Sequence, residues 1–386
     1  MAHITIRNIG PIKEVDIDLN KINVFMGAQS SGKSTIAKII CHCQWVEKKC
    51  FPAVDKEQMM LKYSADFYDN MVKHHRLLDY FNTKSEIKYK GDFISIAYNH
   101  NDRQVSIKEN QKNKYSYPKI AYIPSERNLL AVIPTLSKYN DTDDYILDFM
   151  YDWFDARENI RELSLKNILK RNVKYSYDND RDYIVDGGTR MLLSNASSGV
   201  QALTPMMTVL ENSVKNIYKK ERVRSYEEEL VARKMKDAFS TKEEFDKAIN
   251  ATFNYNYSRI FLEEPEQNLF PNTQINFLYW LISMVRHKKH QLTLTTHSPY
   301  ILFALNNCMM GGLVNLAISQ NKRLGFNSSS AWIKPENVSI YEIEDGKLRC
   351  IQDKDGIIED NYLNQAYKEV SSEYLSLLEY YDDDEE

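Results

Sequence analysis

The stretch Ile22-Asn23-Val24-Phe25-Met26-Gly27-Ala28-Gln29-Ser30-Ser31-Gly32-Lys33-Ser34-Thr35 decides how the rest of the chain is read. Ile22–Met26 is a short apolar run of the kind that forms a buried strand, and it feeds straight into a glycine-bearing loop. Thr35–Val46 then carries a helical pattern. In this strand–loop–helix context Gly27–Thr35 is a complete GxxxxGK[ST] phosphate loop. Its glycines let backbone N–H groups close around phosphate oxygens, and the helix N-terminus behind them adds a favourable dipole. Lys33 is expected to reach the β and γ phosphates of ATP, and the Ser34 hydroxyl to ligate Mg2+. The expected nucleotide-binding residues here are Gly27, Gln29, Ser30, Ser31, Gly32, Lys33, Ser34 and Thr35.

Three further segments join this one. Arg259-Ile260-Phe261-Leu262-Glu263-Glu264-Pro265-Glu266 is an apolar strand ending in acids, which puts carboxylates at the C-terminal edge of a sheet, beside the phosphates. Glu263 is expected to hold Mg2+, directly or through water, and Glu264 to polarise the attacking water. Leu294-Thr295-Thr296-His297-Ser298-Pro299 is another strand running into a polar loop, and its His297 is placed to sense the γ-phosphate or orient the water. Lys33, Glu264 and His297 form the expected catalytic set. Ser194–Gln201, with Ser197, Ser198, Gly199 and Gln201, is a small-residue helix entrance and so a second anion cradle. One triphosphate needs one cradle, so the second is expected to cap a nucleotide held by another subunit. Read alone, it is a helix cap with Ser197 or Ser198 as the N-cap residue.

Composition narrows the class. The 386 residues carry 50 basic and 54 acidic side chains, a formal net charge of −4, which excludes a uniformly basic surface. Hydrophobic residues make up 43%, enough for a sizeable core. The start MAHITIRNIG has no signal-peptide pattern, and no apolar run is long enough to span a bilayer. With an odd number of unevenly spaced cysteines this predicts a cytoplasmic chain with reduced thiols. Cys41, His42, Cys43 and Cys50 make a weak zinc alternative, set against buried small side chains on the helix after the phosphate loop.

Short β patterns are expected at His3–Arg7, Glu14–Asp18 and Lys119–Ile123, and antiparallel strands over 86–117. Helix is expected over 52–82, most of 126–172, 203–224 and 226–250, with a hairpin at Tyr183–Leu192. After the strand Ser258–Leu262 come a helix near 272–287, the strand Gln291–Thr295 and a hairpin at Val338–Ile351. The basic runs Lys215–Arg224 and Arg286–His290 read first as solvated helix faces, with a DNA-contacting edge as the other reading. The acids Glu342, Glu344, Asp345, Asp353 and Asp355 read first as surface, with a metal nuclease site as the other reading.

With these four elements in this order, the chain resembles the ABC-type ATPases of the Rad50, SMC, RecF and OLD group. Ser197–Gln201 is similar to a degenerate LSGGQ signature, and Glu263–Pro271 to the EEPExxLxP variant of OLD-like ATPases. Tyr122-Ile123-Pro124-Ser125-Glu126-Arg127-Asn128 resembles a segment of ATPases from prokaryotic antiviral systems such as PARIS and Septu. It stands where the family's Q-loop falls, but without its glutamine.

The resemblance implies an α/β fold: one ABC-type P-loop head over 1–386 with a mixed central sheet, an antiparallel β lobe and an inserted helical lobe. Its core is expected in 1–50, 119–125 and 258–310, a helix-plus-β lobe in 52–118, a helical signature lobe in 126–257, and a hairpin with acidic tail in 311–386. It further implies a homodimer or higher homo-oligomer with ATP sandwiched between copies and no membrane partner. A regulatory ATPase for a separate effector in antiviral defence is the first reading. A RecF- or Rad50-like DNA-maintenance clamp is the second, and a transporter subunit the third. The long coiled coils of Rad50 and SMC and the Toprim domain of OLD nucleases have no counterpart here.

Overall fold

The computed structural model describes residues 2–51, 56–110, 116–132, 144–218, 255–359 and 361–378, with the single positions 229, 233, 241, 242, 245 and 380. Most of the helix expected over 226–250, the end of that over 203–224 and the acidic tail 382–386 lie outside the described residues.

The chain opens with the hairpin β1 (Ala2–Ile9) and β2 (Ile12–Leu19), then β3 (Ile22–Gly27) and the helix α1 (Lys33–Cys50). Helix α2 (Lys56–His75) leads into a meander of β4 (Phe81–Lys90), β5 (Ile94–Asn99) and β6 (Gln104–Glu109), and β7 spans Pro118–Ile123. An insert follows, with α3 (Tyr145–Asn159), β8 (Glu162–Ser164), β9 (Val173–Asp178), β10 (Arg181–Asp186), β11 (Thr189–Leu192) and α4 (Ser198–Val214). The chain returns through β12 (Tyr257–Glu263), α5 (Pro271–Val285), β13 (Gln291–Thr296) and α6 (Pro299–Val314). It finishes with β14 (Val338–Glu344), β15 (Lys347–Cys350) and α7 (Tyr362–Leu378).

Eleven strands form one mixed sheet in the order β6-β5-β4-β1-β2-β15-β14-β3-β13-β12-β7. The run β14-β3-β13-β12-β7 is parallel throughout. It is covered on both faces, as parallel sheets generally are. Alternation along β3 shows how: Ile22, Val24 and Met26 join a core with α4, α5 and α6, whereas Phe25 joins the core with α1 and α2. The α/β fold with a large mixed sheet therefore stands as expected. The antiparallel strands are continuous with that sheet through β2 and β15, which pair at Glu14 and Lys347.

The described residues of 126–172 are mainly helical as expected, in 126–132, α3 and the turn Lys166–Leu169, while β8 within that range begins a separate four-stranded sheet ordered β11-β10-β9-β8. In β9 the buried Val173, Tyr175 and Tyr177 alternate with outward residues. That period-2 pattern, carried by aromatic and β-branched residues, pairs the segment with its neighbours. Tyr175 packs on Trp153 of α3, with ring centroids 5.7 Å apart.

A buried ion pair locks the two halves of the large sheet together. Glu47 of α1 accepts from Arg259 Nη1 on β12 at 2.9 Å, from Tyr89 Oη on β4 at 3.0 Å and from the Phe93 N–H before β5 at 2.7 Å. Both partners of the pair are excluded from water. Removing one leaves the other charged and buried, so Glu47→Ala is expected to lower the unfolding free energy by about 3–5 kcal/mol in denaturant titration.

Candidate active site

Neighbouring parallel strands end at one edge of the sheet. The register pairs Met26 with Thr296, Thr295 with Glu263, and Leu262 with Ile123. The segments just past these strands, the phosphate loop, the His297 turn, Glu264 and Pro124–Asn128, are thereby set side by side at the carboxyl edge, where open α/β sheets bind ligands.

Gly27 has φ 148°, and a Cβ there would stand 2.9 Å from Ser31 Oγ and 3.0 Å from the Ile343 carbonyl. Only glycine fits this turn between strand and loop. Lys33 is buried, and its ammonium donates to the carbonyls of Gly27 at 3.0 Å and Ala28 at 2.9 Å. Burial brings its pKa down to about 8, against the opposing pull of Glu264 and Glu266. Ser31 Oγ is buried with no partner. An unsatisfied hydroxyl, a lysine turned back on its own loop and a glycine cradle fit a phosphate ligand, with Ser34 and Thr35 opening the helix behind.

Across the edge, Glu263 is buried, and its carboxylate accepts from Tyr122 Oη and, at 3.4 Å, from the Ser125 N–H. Glu264 adopts φ 41°, left-handed backbone unusual for a residue with a side chain. Its Oε1 lies 3.2 Å from His297 Nε2. That hydrogen bond holds the Glu264 carboxyl below its ordinary range, helped by Lys33 and Arg127. Glu266 accepts from Thr296 Oγ1 and from the His297 N–H, which fixes the histidine's backbone. Burial raises the Glu266 pKa, and its Oε2 has no partner.

Arg127 is wholly buried behind this pair. It donates to the carbonyls of Pro124 at 3.1 Å, Glu263 at 2.9 Å and Glu264 at 2.7 Å. In the same segment, Glu126 accepts from Ser125 Oγ at 3.0 Å and Tyr145 Oη at 3.1 Å.

The expected site residues thus fall into two groups. Gly27–Thr35, Glu263, Glu264 and His297 share one edge. Ser197, Ser198, Gly199 and Gln201 open α4, and no hydrogen bond or ion pair links them to the phosphate loop among the described residues. Ser197 and Ser198 are exposed, and Gln201 Nε2 holds the carbonyls of Ser194 and Ala196 at 2.8 and 2.9 Å. Gly199 lies so close to the loop after β12 that a Cβ would stand 2.8 Å from the Asn268 carbonyl.

Tyr122, Arg127, Glu266 and Tyr362 were not singled out. The first two lie within the segment Tyr122–Asn128, and Glu266 is the third acid of its motif; Tyr362 had no signal. It donates to the Gly27 carbonyl at 3.2 Å. Beside it a cavity of about 610 Å³ opens between Ala28, Gln29 and Ser31 of the loop and Glu342, Arg349 and Tyr362. Glu342, read as surface, is buried, and it accepts from Arg349 and from the Tyr362 N–H at 2.8 Å. Cys41, Cys43 and Cys50 are free and buried, and no cluster of three or more metal-ligating side chains occurs among the described residues. Nor is any described helix long and apolar enough to cross a membrane.

The AAA ATPase domain family (AAA_15) matches residues 47–302, about two thirds of the sequence, and the chain belongs to it. The matched span takes in Glu263, Glu264 and His297, while the phosphate loop precedes it. No curated protein matches the sequence. Among solved structures the chain is similar to an SMC head domain from Thermotoga maritima, at 11% identity over 93% of this chain and 98% of that one, TM-score 0.40. An Smc head domain from Pyrococcus furiosus bound to the C-terminal domain of ScpA gives 11% identity, 96% and 99% coverage, and TM-score 0.39. An ATP-binding cassette in a dimeric post-hydrolysis state with ADP and Pi gives 11%, 90% and 96%, and 0.30.

Tyr122→Phe keeps the ring and removes the donor to the buried Glu263 carboxylate. It is expected to lower stability by about 1–3 kcal/mol, read from urea unfolding.

Proposed function

We propose that this chain is an ATP-hydrolysing head that works in pairs and converts nucleotide state into shape. The observation that carries the reading is the meeting of Lys33, Glu264 and His297 at one sheet edge, with Glu264 and His297 already hydrogen-bonded. Lys33 leaves the Gly27 and Ala28 carbonyls for the phosphates of ATP. Glu264, kept ionised by His297, orients and polarises the attacking water, and His297 and Lys33 balance charge building on the phosphoryl oxygens. Ser34 and Glu263 would hold Mg2+, which would supply charge neutralisation on the phosphates.

The exposed Ser197 and Ser198, with no hydrogen bond or ion pair to their own chain's phosphate loop among the described residues, support a second copy as the holder of the nucleotide they cap. Two sites then form across a two-fold interface, and hydrolysis removes the link between copies. On this reading residues 1–386 are one head. Its core comprises 1–50, 119–125 and 258–310, a lobe spans 52–118, a signature lobe spans 126–257, and the hairpin and tail occupy 311–386. The resemblance of Tyr122–Asn128 and of the EEPE segment to antiviral ATPases supports a regulatory role for a separate effector in cytoplasmic defence.

Glu264→Gln is expected to bind ATP normally and to lose turnover by about 10²–10⁴-fold in a phosphate-release assay. Normal turnover in that variant would sink the assignment, and several-fold stimulation of the wild type by DNA would move the role to a DNA-maintenance clamp. A second outcome follows from Lys33. Its folded pKa of about 8 is below the ordinary lysine value, so it is partly neutral above that pH, whereas phosphate binding requires its charge. ATP binding therefore takes up a proton, and affinity falls by up to about tenfold per unit as pH rises above about 8. Calorimetric titration in buffers of different ionisation enthalpy measures both.

A further inference from the structure

Two helices of this chain leave an apolar stripe uncovered, and the stripes match. On α6 the exposed side chains Tyr300, Phe303, Met310 and Leu313 fall on one face, with Phe303 54% exposed. On α7 the stripe is Tyr367, Val370, Tyr374 and Leu377, spaced three and four residues apart as in a helix-packing seam, with Tyr367 75% exposed. The helices have 16 and 17 residues, so each runs about 25 Å at 1.5 Å per residue. Uncovered apolar faces of this extent mark interaction surfaces.

Charge gives the pairing its direction. Residues 267–335 contain no Asp or Glu and six basic residues: Arg286, Lys288, Lys289, Lys322, Arg323 and Lys334. Two of these border α6 through Trp332, which packs on the helix at Gly311. Arg286 donates to the Trp332 carbonyl at 3.0 Å, and the Arg323 guanidinium lies 4.8 Å from the Trp332 ring centroid. From Tyr362 to the last residue the sequence carries eight acids, Glu369 and Glu373 among them, against the single Lys368. Two α7 helices would repel each other; α7 against the α6 face would not.

We infer that α7 of one copy lies along α6 of a second copy, a head-to-tail contact of the chain with itself. Within one chain the α7 residues from Gln365 to Leu378 are exposed, Ser371 alone being half-buried. Its root is tied down, with Tyr362 and Leu363 packed on the core and the Ile358 N–H donating to Asn306 Oδ1 at 3.0 Å. Both stripes are thus displayed on one chain, and a second copy satisfies them. The contact either closes reciprocally about a two-fold axis or, repeated in one direction, builds a ring or a chain of copies. It is independent of the nucleotide sandwich.

The test uses the full-length chain without nucleotide, in sedimentation velocity over a concentration series. The wild type is expected to self-associate, more weakly as NaCl screens the charges. Phe303→Glu with Met310→Glu, and separately Tyr374→Glu with Leu377→Glu, are each expected to weaken association by at least about tenfold, leaving monomer, with unchanged melting because all four sites are exposed. Mixed in equal amounts, the two variants are expected to form a dimer, since one keeps α6 intact and the other α7. A monomeric wild type overturns the proposal. So does either variant that still self-associates on its own, which would mean like-with-like pairing, and so does a mixture that stays monomeric while the wild type associates. ATP turnover of the same variants, measured apart, distinguishes failure of this contact from failure of the nucleotide reading.

Discussion

The fold depends on one charge-assisted knot, the carboxylate of Glu47 and the guanidinium of Arg259 held at 2.9 Å with no water around them. Glu47 lies in the last turn of the helix that starts at the phosphate loop, and Arg259 lies early on the strand that delivers Glu263 and Glu264. Tyr89 and the Phe93 N–H bring the antiparallel arm to the same carboxylate. Helix, acidic strand and arm are therefore placed relative to one another by a single group. Isolated, either charge would be very costly there; with all its donors present the arrangement is specific, because few alternative packings supply the same set.

At the other end of β12 the problem is opposite. Acids must be gathered next to one another, close to a lysine and short of water. Arg127 supplies the solution from below, where its guanidinium neutralises the carbonyl ends of Glu263 and Glu264 and faces the three acids of the motif. The left-handed backbone at Glu264 is a conformation a side chain resists, and it persists because Arg127 on one carbonyl and the Thr295 carbonyl on the Glu264 N–H hold both sides of the residue. Stability is spent here on geometry, as expected where a carboxylate must meet a histidine at a fixed distance.

Much of this was legible in the residues. Ile22–Gly27, Tyr257–Glu263 and Gln291–Thr296 are short apolar runs ending in glycine, acid or a polar loop, so strand, direction and site edge could be read together. What escaped reading depends on long-range pairing. Nothing local in Glu14 or Lys347 tells that β2 meets β15 and joins the meander to the main sheet. The burial of Glu342 depends on Arg349 and the Tyr362 N–H, neither of which a run of acids reveals. Val173–Asp178 was passed over since its alternation is short and follows a stretch rich in Leu and Lys. The apolar seam of α7 was missed for another reason: its pattern is plain, but its side chains stand exposed, outside both hydrophobic cores.

The place of β3 has a consequence for how the protein is made. Its two neighbours in the sheet are β13 and β14, supplied by residues 291–296 and 338–344. A nascent chain therefore carries Ile22–Met26, a strand buried on both faces, without a partner until most of the remaining sequence has left the ribosome. Non-local pairings of this kind fold slowly and expose sticky surface meanwhile. The phosphate loop is thus among the first motifs synthesised and among the last to acquire its shape, so a truncated translation product would carry the motif without the site.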